Sequence, residues 1–553
     1  MHKSTILGLA ALIAALASGT SHHALAAGKA VALSGTVSSA QEGAMEGVVV
    51  SARKAGSTIE VSVVSGKDGR YSFPADHLSP GHYAISIRAV GYDLDGMGSA
   101  DVAANAPATQ DLTLKKTKNL PAQLTNAEWM LSVPGTDAQK ASLLNCNGCH
   151  TIERVMRSTH TADEWMPTIR RMMHYTFQSQ PVKPVQRMDP AWGGTPEQYR
   201  EQATYLATIN LSATEDWSYP LKTMPRPTGR ATRVIVTSYD LPRPTIEPHD
   251  VVLDKKGVAW YSDFGELKFG RLDPKSGKVA EYDMPNLKAG FPEGALDLER
   301  DPYNGTFWMG MMYQPALANF DPAQNKFVKS LQIPEPMSDK VTQLNMLGLN
   351  YKVDGKIWTN NAGNQDIYRI DVKTGKWETF KPLKELPGKG PYSVYGIASD
   401  RHNNLYFTEF STNYIGRIDA KTLKVTWYQT PSQRTRPRRI EFDNQDRLWI
   451  AEYGGNAVGM FDTKTEKFAE YKLPTPFTAP YYATTDKNGE VWTGGMTTDR
   501  VVRLDPKTGT TVEYLMPGDT NIRRVYVDNS TTPVTFWTGA NHTAKVIKVE
   551  PLD

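Results

Sequence analysis

Gly257-Val258-Ala259-Trp260-Tyr261-Ser262-Asp263 is the stretch that decides the fold, because stretches of the same pattern return along the chain. Three of them keep the tryptophan and its apolar neighbours: Gly355-Lys356-Ile357-Trp358-Thr359-Asn360-Asn361, Asp446-Arg447-Leu448-Trp449-Ile450-Ala451-Glu452 and Gly489-Glu490-Val491-Trp492-Thr493-Gly494-Gly495. Strands that end in an aspartate and a turn follow, as in Gly270-Arg271-Leu272-Asp273. A period of about 40–45 residues is typical of β-propellers, in which each repeat forms one four-stranded blade.

These repeats predict a seven-bladed β-propeller over residues 232–553. The repeats begin near Pro248, Pro292, Leu344, Ser393, Arg436, Ala479 and Asn521. The last repeat is one strand short, and Arg233 to Leu241 would supply the missing strand and close the ring. Six or eight blades are the alternatives.

The propeller repeat, Pro-x-x-apolar-x-x-Asp, then Gly-x-apolar-Trp and Gly-Arg-apolar-Asp, resembles the virginiamycin B lyase family of streptogramin lyases. The resemblance implies an elimination that opens a cyclic ester, with a histidine base and acidic residues that hold Mg²⁺. It places the base at His249 and the metal-side carboxylates at Glu247 and Asp263. The sequence departs from the family in the shorter acid Asp263, and in Tyr395 and Tyr482, which stand where polar groups are expected. An ordinary rim position for His249 is the alternative.

The first strand of each blade in a propeller lines the central channel, so the sequence predicts which side chains reach the channel mouth. They are His249, Asp250, Asp263, Glu293, Asn345, Tyr395, Glu409, Arg438, Arg439, Glu452, Tyr482, Arg523 and His542. Two repeats contribute a cluster of arginines, namely Arg436, Arg438, Arg439, Arg523 and Arg524. If they face the channel, these arginines bind an anionic ligand; on a solvated rim they pair with Glu441 or Asp499.

Both cysteines of the chain lie in one pentapeptide, Cys146-Asn147-Gly148-Cys149-His150. This C-x-x-C-H spacing is the c-type haem attachment pattern, in which two thiols form thioethers to the haem and the histidine supplies the proximal iron ligand. A redox dithiol, half of a zinc site and chance are the alternatives. A zinc site needs two further ligands, and a thioredoxin-like motif needs a βαβ pattern that the chain lacks.

The segment around this motif, residues 121–212, has a helical pattern and resembles the cytochrome c fold. The predicted helices run from Asp137 to Cys146, from Ala162 to Tyr175 and from Pro196 to Ile209. A methionine thioether is the usual distal ligand of such an iron, and the spacing from Trp165 favours Met172. The other candidates are Met166, Met173, Met188, His160 and His174. An open sixth position is a further alternative.

Residues 32–114 show short alternating strands between turn signals and predict a small β-sandwich. The stretches Gly69-Arg70-Tyr71-Ser72-Phe73, Pro80-Gly81-His82-Tyr83 and Gly91-Tyr92 resemble the carboxypeptidase regulatory-like, transthyretin-like family. The resemblance implies a structural or adhesive domain. Binding of a carbohydrate or of a partner is the alternative.

Residues 1–27 combine a short basic start, an apolar run from Ile6 to Ala17 and small residues up to Ala27, which predicts a secretory signal peptide. The run is shorter than the about 20 apolar residues that cross a bilayer. We therefore expect a periplasmic or secreted protein without a membrane span. The formal net charge of +3 gives no argument for nucleic-acid binding.

The sequence thus predicts a multidomain chain: a small β-sandwich, an all-α cytochrome c domain and a seven-bladed β-propeller. The leading functional hypothesis is a periplasmic c-type haem protein. A small substrate is oxidised in the propeller channel, and electrons pass through covalently bound haem c to a redox protein partner. A streptogramin-type lyase with Mg²⁺ and a non-enzymatic electron carrier or sensor are the alternatives. An elimination needs no electron acceptor, so the haem motif favours an oxidoreductase.

Overall fold

A computed structural model describes residues 30–187, 195–211, 216–335, 343–386, 390 and 392–553. Residues 1–27, for which a signal peptide is predicted, lie outside these ranges, as does Met188. The described part of the chain is nearly all β, with a β-sandwich followed by a ring of seven blades. None of its helices has the length and the apolar character needed to cross a membrane.

The N-terminal β-sandwich is built from ten short strands. They are β1 (Val31–Ser39), β2 (Gly43–Ala44), β3 (Val49–Lys54), β4 (Ile59–Val64), β5 (Arg70–Pro74), β6 (Gly81–Arg88), β7 (Tyr92–Leu94), β8 (Gly98–Val102), β9 (Ala108–Thr109) and β10 (Leu112–Lys116). One sheet has the order β2-β1-β10-β7, with β5 and β9 also paired to β1, and the other contains β4-β3-β6-β8. Alternate residues of these strands, such as Val37, Val50 and Phe73, are fully buried and form the core between the sheets.

The propeller follows as antiparallel four-stranded sheets. Blades one to three contain β12 (Pro248–Leu253), β13 (Ala259–Asp263), β14 (Lys268–Leu272), β15 (Val279–Asp283), β16 (Ala295–Arg300), β17 (Phe307–Met311), β18 (Ala316–Asp321), β19 (Lys326–Gln332), β20 (Leu344–Gly348), β21 (Lys356–Asn361), β22 (Asp366–Asp371) and β23 (Trp377–Phe380). Blades four to six contain β24 (Val394–Ser399), β25 (Leu405–Glu409), β26 (Tyr414–Ile418), β27 (Val425–Gln429), β28 (Pro437–Phe442), β29 (Arg447–Glu452), β30 (Ala457–Asp462), β31 (Lys467–Lys472), β32 (Pro480–Thr485), β33 (Val491–Gly495), β34 (Arg500–Asp505) and β35 (Thr510–Leu515). Blade seven contains β36 (Ile522–Asp528), β37 (Thr535–Ala540), β38 (Lys545–Pro551) and β11 (Val234–Asp240).

The seven blades form a closed ring. The first strand of each blade contacts the first strand of the next, and β36 of blade seven contacts β12 of blade one. β11 pairs with β38 and supplies the missing strand of blade seven, as the sequence predicts. The ring is therefore closed by a strand that precedes it in the chain.

One hydrogen-bond pattern explains the repeated tryptophan. In three blades a carboxylate in the turn between the first two strands accepts a hydrogen bond from the indole Nε1 of the second strand. The pairs are Asp254–Trp260 (3.1 Å), Asp443–Trp449 (3.0 Å) and Asp486–Trp492 (3.0 Å). The other oxygen of each carboxylate accepts from two backbone N–H groups of the turn. Each of these three blades thus links its own turn to its own buried strand, whereas Trp358 donates from Nε1 to the carbonyl of Asn403 in the next blade.

The β-sandwich and the propeller share one continuous sheet. The second edge of β11 pairs with β4 of the sandwich, from Ile235 opposite Val63 to Tyr239 opposite Ile59. The resulting eight-stranded sheet has the order β36-β37-β38-β11-β4-β3-β6-β8. Backbone hydrogen bonds therefore join the two modules.

The prediction of an all-α cytochrome c domain over residues 121–212 is wrong. The α-helices in the described residues of the segment are short: α1 (Asn126–Ser132), α2 (Asp137–Ser142), α3 (Leu144–Asn147), α4 (Glu153–Met156), α5 (Ala162–Met173) and α6 (Pro196–Ile209). Helices of this length are marginal without tertiary packing. Phe477 of the propeller packs against their apolar core, and Leu144 packs both there and against the channel cluster that contains Tyr395 and Tyr481. The helical periodicity is correct, but these helices form a cap on a nearly all-β molecule.

Candidate functional site: the channel mouth

The C-x-x-C-H segment lies at the mouth of the propeller channel. Arg523, on the first strand of blade seven, donates from Nη2 to the carbonyl of Gly148 at 2.9 Å. The side chain of Asn521 donates to the carbonyl of Asn147 at 3.2 Å, and Asn147 donates to the carbonyl of Met496 at 3.1 Å. The cap thus contacts blades six and seven through hydrogen bonds from side chains to backbone carbonyl groups.

Irregular strand pairing creates the two layers of side chains in the channel. In blades one, two and four to seven, the register shifts just after the start of the first strand. Two successive residues of these strands therefore leave the regular ladder, and their side chains meet across the channel. His249, Tyr395, Arg438, Tyr481 and Arg523 belong to the outer layer, and Asp250, Asp297, Arg439, Tyr482 and Arg524 belong to the inner layer.

The inner layer is a buried ionic network. Arg439 Nη1 donates to Asp297 Oδ1 at 2.6 Å and to Asp250 Oδ2 at 3.2 Å. Arg524 Nη1 donates to the same Asp250 oxygen at 3.0 Å. Although burial acts in the opposite direction, these two guanidinium groups hold the pKa of Asp250 well below its ordinary value. Burial raises the pKa of Asp297 well above its ordinary value, against the attraction of Arg439. Two guanidinium groups and two carboxyl groups from four blades therefore fill the channel beneath the mouth.

Arg438 occupies an aromatic enclosure in the outer layer. Its guanidinium carbon lies 4.0 Å from the ring centroid of Tyr481, 4.6 Å from Tyr453 and 5.0 Å from both Tyr395 and Phe410. Arg438 donates to the Tyr395 hydroxyl at 3.4 Å and to the Met496 sulfur at 3.3 Å, while its Nε has no partner.

No carboxylate in the described part of the chain forms a salt bridge with Arg438, and its strongest electrostatic neighbours are tyrosines. Arg436 lies beside it, 4.5 Å above the Phe410 ring. Unlike Arg439, these two half-buried cations lie over aromatic rings and form no salt bridge in the described residues, although Glu409 lies near Arg436. Of the two arrangements that the sequence leaves open for the arginine cluster, the geometry at Arg436 and Arg438 supports the channel-facing one.

A buried acidic pair lies on the opposite side of the mouth. Asp263 is fully buried and Glu247 nearly so, and one oxygen of each carboxyl has no hydrogen-bond partner. Burial raises the pKa of Asp263 to about 7 and that of Glu247 well above its ordinary value. Among the residues that the structure describes, no three His, Cys, Asp or Glu side chains gather to hold a metal ion. Mg²⁺ at this pair stays a prediction.

His249 lies beneath the mouth rather than on its surface. Its side chain has no exposed area, and its ring nitrogens are 2.6 Å from Asp250 Oδ1 and 3.0 Å from the Tyr481 hydroxyl. Burial lowers the pKa of His249 to about 3, so the imidazole is neutral near pH 7. A ligand at the mouth would therefore contact other side chains rather than the buried His249.

The residues of the C-x-x-C-H motif face the same region. Both thiols are free, and burial raises the pKa of Cys146 to about 11 and that of Cys149 to about 12. His150 Nδ1 lies 2.9 Å from the Thr151 carbonyl, which fixes the proton on that nitrogen. Met172 is 40% exposed on α5, whereas Met166 and Met173 pack against the core of the cap.

Three aromatic residues of the mouth are not among those predicted to reach it, namely Tyr481, Tyr453 and Phe410. Tyr481 could have been found, because it follows the first-strand proline at the offset of His249 and Arg438. Tyr453 and Phe410 each directly follow the glutamate that ends a second strand. An acid followed by an aromatic residue also occurs at this offset as Asp263-Phe264, so the recurring pair is a signal that could have found Tyr453 and Phe410.

Comparison with solved structures finds proteins of low sequence identity. A streptogramin B lyase is 23% identical with a TM-score of 0.49, covering 58% of this chain and 99% of its own. The virginiamycin B lyase of Staphylococcus aureus is 23% identical with a TM-score of 0.48, covering 57% and 99%. The extracellular domain of a hybrid two-component system from B. thetaiotaomicron is 15% identical with a TM-score of 0.43, covering 56% and 41%. No curated protein matches the chain.

Two family models match the chain. The virginiamycin B lyase family matches residues 302–551, and the carboxypeptidase regulatory-like domain matches residues 32–115. Both matched regions are β modules, and the cap between them matches neither family. The classification of residues 121–212 as a haem-binding cytochrome c domain is accordingly corrected. Residues 32–115 thus match a carboxypeptidase regulatory-like domain, and residues 302–551 within the propeller match a virginiamycin B lyase-like domain, with a helical cap between them in the chain and over the propeller mouth.

Proposed function

We propose that the propeller mouth binds a small anionic molecule that carries a planar group. The observation that supports this proposal is Arg438, a half-buried cation enclosed by four aromatic rings with no carboxylate partner in the described residues. A guanidinium group offers two parallel donors to a carboxylate or phosphate, and aromatic walls accept a flat ligand.

The comparison of Arg438 with Arg439 strengthens the argument. Arg439 is compensated by Asp250 and Asp297, as expected for a buried charge. At Arg438 the rings offset only part of the desolvation cost, since cation–π contacts contribute about 0.5–2 kcal/mol. An anion would complete the compensation, and Arg436 would add attraction from the same side.

Calorimetric titration of the mature protein with phenylpyruvate and benzoate tests this function. We expect saturable binding of phenylpyruvate, weakened at least about tenfold in Arg438→Gln, because a charge-assisted hydrogen bond contributes about 1.5–3 kcal/mol. Arg401→Gln is the matched control, since this exposed arginine pairs with Asp446 away from the channel. Equal affinity in Arg438→Gln and the native protein, or no binding of either probe, would overturn the proposal.

The streptogramin-type lyase remains a second candidate, supported by the family match alone. That match begins at residue 302, so Glu247, His249 and Asp263 lie outside it. Incubation with a streptogramin B ester and Mg²⁺, followed by mass spectrometry, tests the reaction. Consumption of the ester that His249→Gln abolishes would support the lyase, and an unchanged ester would exclude it.

The untested predictions concern single residues and the compartment. Attachment of haem c at Cys146 and Cys149, with His150 and Met172 on the iron, rests on the motif and on its donor set. Such a group supplies one-electron chemistry and calls for a redox protein partner. An absorption spectrum and an intact mass of protein from a host with c-type maturation test attachment, with Cys146→Ser as control. N-terminal sequencing of the secreted protein tests cleavage after Ala27 and export to the periplasm.

A further inference from the structure

Two arginines of the mouth contact the same pair of aromatic rings. The guanidinium carbon of Arg436 lies 4.5 Å from the ring centroid of Phe410 and 5.2 Å from that of Tyr453. The guanidinium carbon of Arg438 lies 5.0 Å and 4.6 Å from the same two centroids. The two rings themselves are 5.6 Å apart, centroid to centroid. Two positive charges therefore share one aromatic enclosure.

Several donors of these two guanidinium groups lack a strong acceptor. Arg436 donates from Nε to the Phe410 carbonyl at 3.4 Å, and its two terminal nitrogens donate to no group in the part of the chain that the structure describes. Arg438 donates to a methionine sulfur at 3.3 Å and to a phenol oxygen at 3.4 Å, and its Nε has no partner. Each guanidinium group carries five N–H donors, and their planar arrangement suits the oxygens of a phosphate.

The acids near the enclosure do not balance both charges. Glu409 lies near Arg436, but its oxygens accept from two backbone N–H groups, at 2.7 and 2.9 Å, and from a threonine hydroxyl. Glu452 ends the second strand of the next blade, and burial raises its pKa to about 8. Its electrostatic neighbours are Glu470 and Lys472 rather than either arginine. One carboxylate therefore stands against two guanidinium groups.

A third arginine adds to the excess of positive charge. Arg523 donates to a backbone carbonyl and to an amide oxygen, and it forms no salt bridge with a described residue. Burial raises the pKa of Tyr481, whereas the charges of Arg439, Arg438 and Arg523 act in the opposite direction. The positive potential of three blade openings thus meets at this phenol, beside the proposed ligand site.

The backbone fixes the place of Arg436 before any ligand arrives. Its φ is +47°, in the left-handed region that an arginine rarely adopts, and its N–H donates to the Thr412 carbonyl at 2.8 Å. Ala479 and Asn521 take the same conformation just before the first strands of blades six and seven, with φ of +48° and +56°. The fold therefore sets this conformation, and the arginine side chain is particular to blade five.

We propose that the ligand of the mouth is a phosphate monoester of an aromatic group, and that Arg436 and Arg438 together bind its phosphate. This inference rests on the proposed function and narrows its anion to a doubly charged group. A phosphate monoester carries close to two negative charges near pH 7 and three acceptor oxygens, which match two neighbouring guanidinium groups. Arg436 is then the residue that selects a dianion over a monoanion.

Calorimetric titration of the mature protein with phenyl phosphate and phenyl sulfate tests this selection, because the two probes share one shape and differ in charge. We expect phenyl phosphate to bind at least about tenfold more tightly than phenyl sulfate. Arg436→Gln should weaken binding of phenyl phosphate about tenfold and that of phenyl sulfate by less than about threefold. Inorganic phosphate should bind at least about tenfold more weakly than phenyl phosphate, because it has no ring to place against the aromatic walls.

Arg434→Gln is the matched control, since it removes a positive charge from an exposed side chain two residues away. It should leave the preference for phenyl phosphate unchanged. Arg436→Lys keeps the positive charge but not the planar fork, and it should retain part of the preference. Retention in Arg436→Lys separates a lost charge from a disturbed loop as the cause of the effect in Arg436→Gln.

The same titrations separate this inference from the proposed function. Equal affinity of the native protein for phenyl phosphate and phenyl sulfate would overturn the selection of a dianion, and so would a preference that survives in Arg436→Gln. Inorganic phosphate that binds as tightly as phenyl phosphate would overturn the aromatic part of the ligand. In each of these cases, binding of phenylpyruvate would leave the proposed function standing. Native protein that binds neither phenylpyruvate nor the two phenyl esters would overturn both.

Discussion

The turns of the propeller blades and the channel mouth are built from the same strands but follow different sequence rules. In the turns one pair recurs, as Asp254 with Trp260 and Asp486 with Trp492. At the mouth the residue after the first-strand proline changes between blades, and Arg438 and Tyr481 share that offset. Repeated positions therefore hold the fold, whereas unrepeated positions create the candidate site.

We expect the largest effect on stability from a substitution at a repeated position. Trp492→Ala removes a fully buried indole and its hydrogen bond to Asp486, so we expect a loss of about 3–5 kcal/mol in the free energy of unfolding. Denaturant unfolding followed by circular dichroism measures it. Val328→Ala, at a residue that is 44% exposed, is the control and should change stability by less than about 0.5 kcal/mol. A loss in Trp492→Ala as small as in the control would contradict the rule.

Substitutions in the inner layer of the channel test whether unrepeated residues also stabilise the fold. Arg439→Met leaves Asp250 and Asp297 buried without this partner, and breaking such a pair costs about 3–5 kcal/mol. The double variant Arg439→Met with Asp297→Asn removes one of the stranded charges and should be more stable than the single variant. The same denaturant experiment compares them. Native stability in the single variant would show that the ionic network adds nothing.

The acidic pair Glu247 and Asp263 should make the stability of the fold depend on pH, with an effect of intermediate size. The pKa of Asp263 rises from 3.8 to about 7 on folding, so the folded state binds the extra proton between these values. This group therefore stabilises the fold fully below about pH 4 and loses that contribution as pH rises to about 7, with a slope of up to about 1.4 kcal/mol per pH unit. Asp263→Asn should flatten the dependence of Tm on pH in this window.

The control for this pH dependence is Asp283→Asn, at a carboxylate whose side chain is 83% exposed. It should leave the pH profile of Tm unchanged. An identical profile in Asp263→Asn and the native protein would mean that the buried carboxyl does not titrate in the stated window.

We expect the smallest effect on stability at Arg438, the unrepeated residue whose substitution should weaken ligand binding most. Arg438→Gln removes a cation that lacks a carboxylate partner in the described residues, so we expect a change of less than about 1 kcal/mol. Tm by scanning calorimetry measures it beside the titration with phenylpyruvate. A large loss of stability would show that Arg438 is a structural residue. It would contradict the distinction between repeated positions, which hold the fold, and unrepeated positions, which form the mouth.

The propeller could be predicted because each blade repeats a local pattern, and the closing strand could be found because the last repeat is short. The cap was predicted incorrectly as a separate domain, since contacts such as Leu144 with the channel cluster join residues far apart in sequence. The arginines of the mouth were visible as a cluster. The enclosure around Arg438 was not predicted, because Tyr453 and Phe410 follow the second strands of the same blade and of the preceding blade, and their approach to Arg438 depends on how these loops and adjacent blades pack.

The shared sheet has a consequence for the order in which the chain is assembled during synthesis. The sandwich leaves the ribosome before any propeller repeat and already carries the β4 edge that receives β11. A strand paired to that edge is in place before β38, which is made after the other strands of the ring. Pairing with β4 lowers the number of conformations that β11 can adopt. The propeller chain between β11 and β38 therefore closes on a strand whose position is already fixed. The N-terminal sandwich thus acts as a built-in assembly platform for the ring.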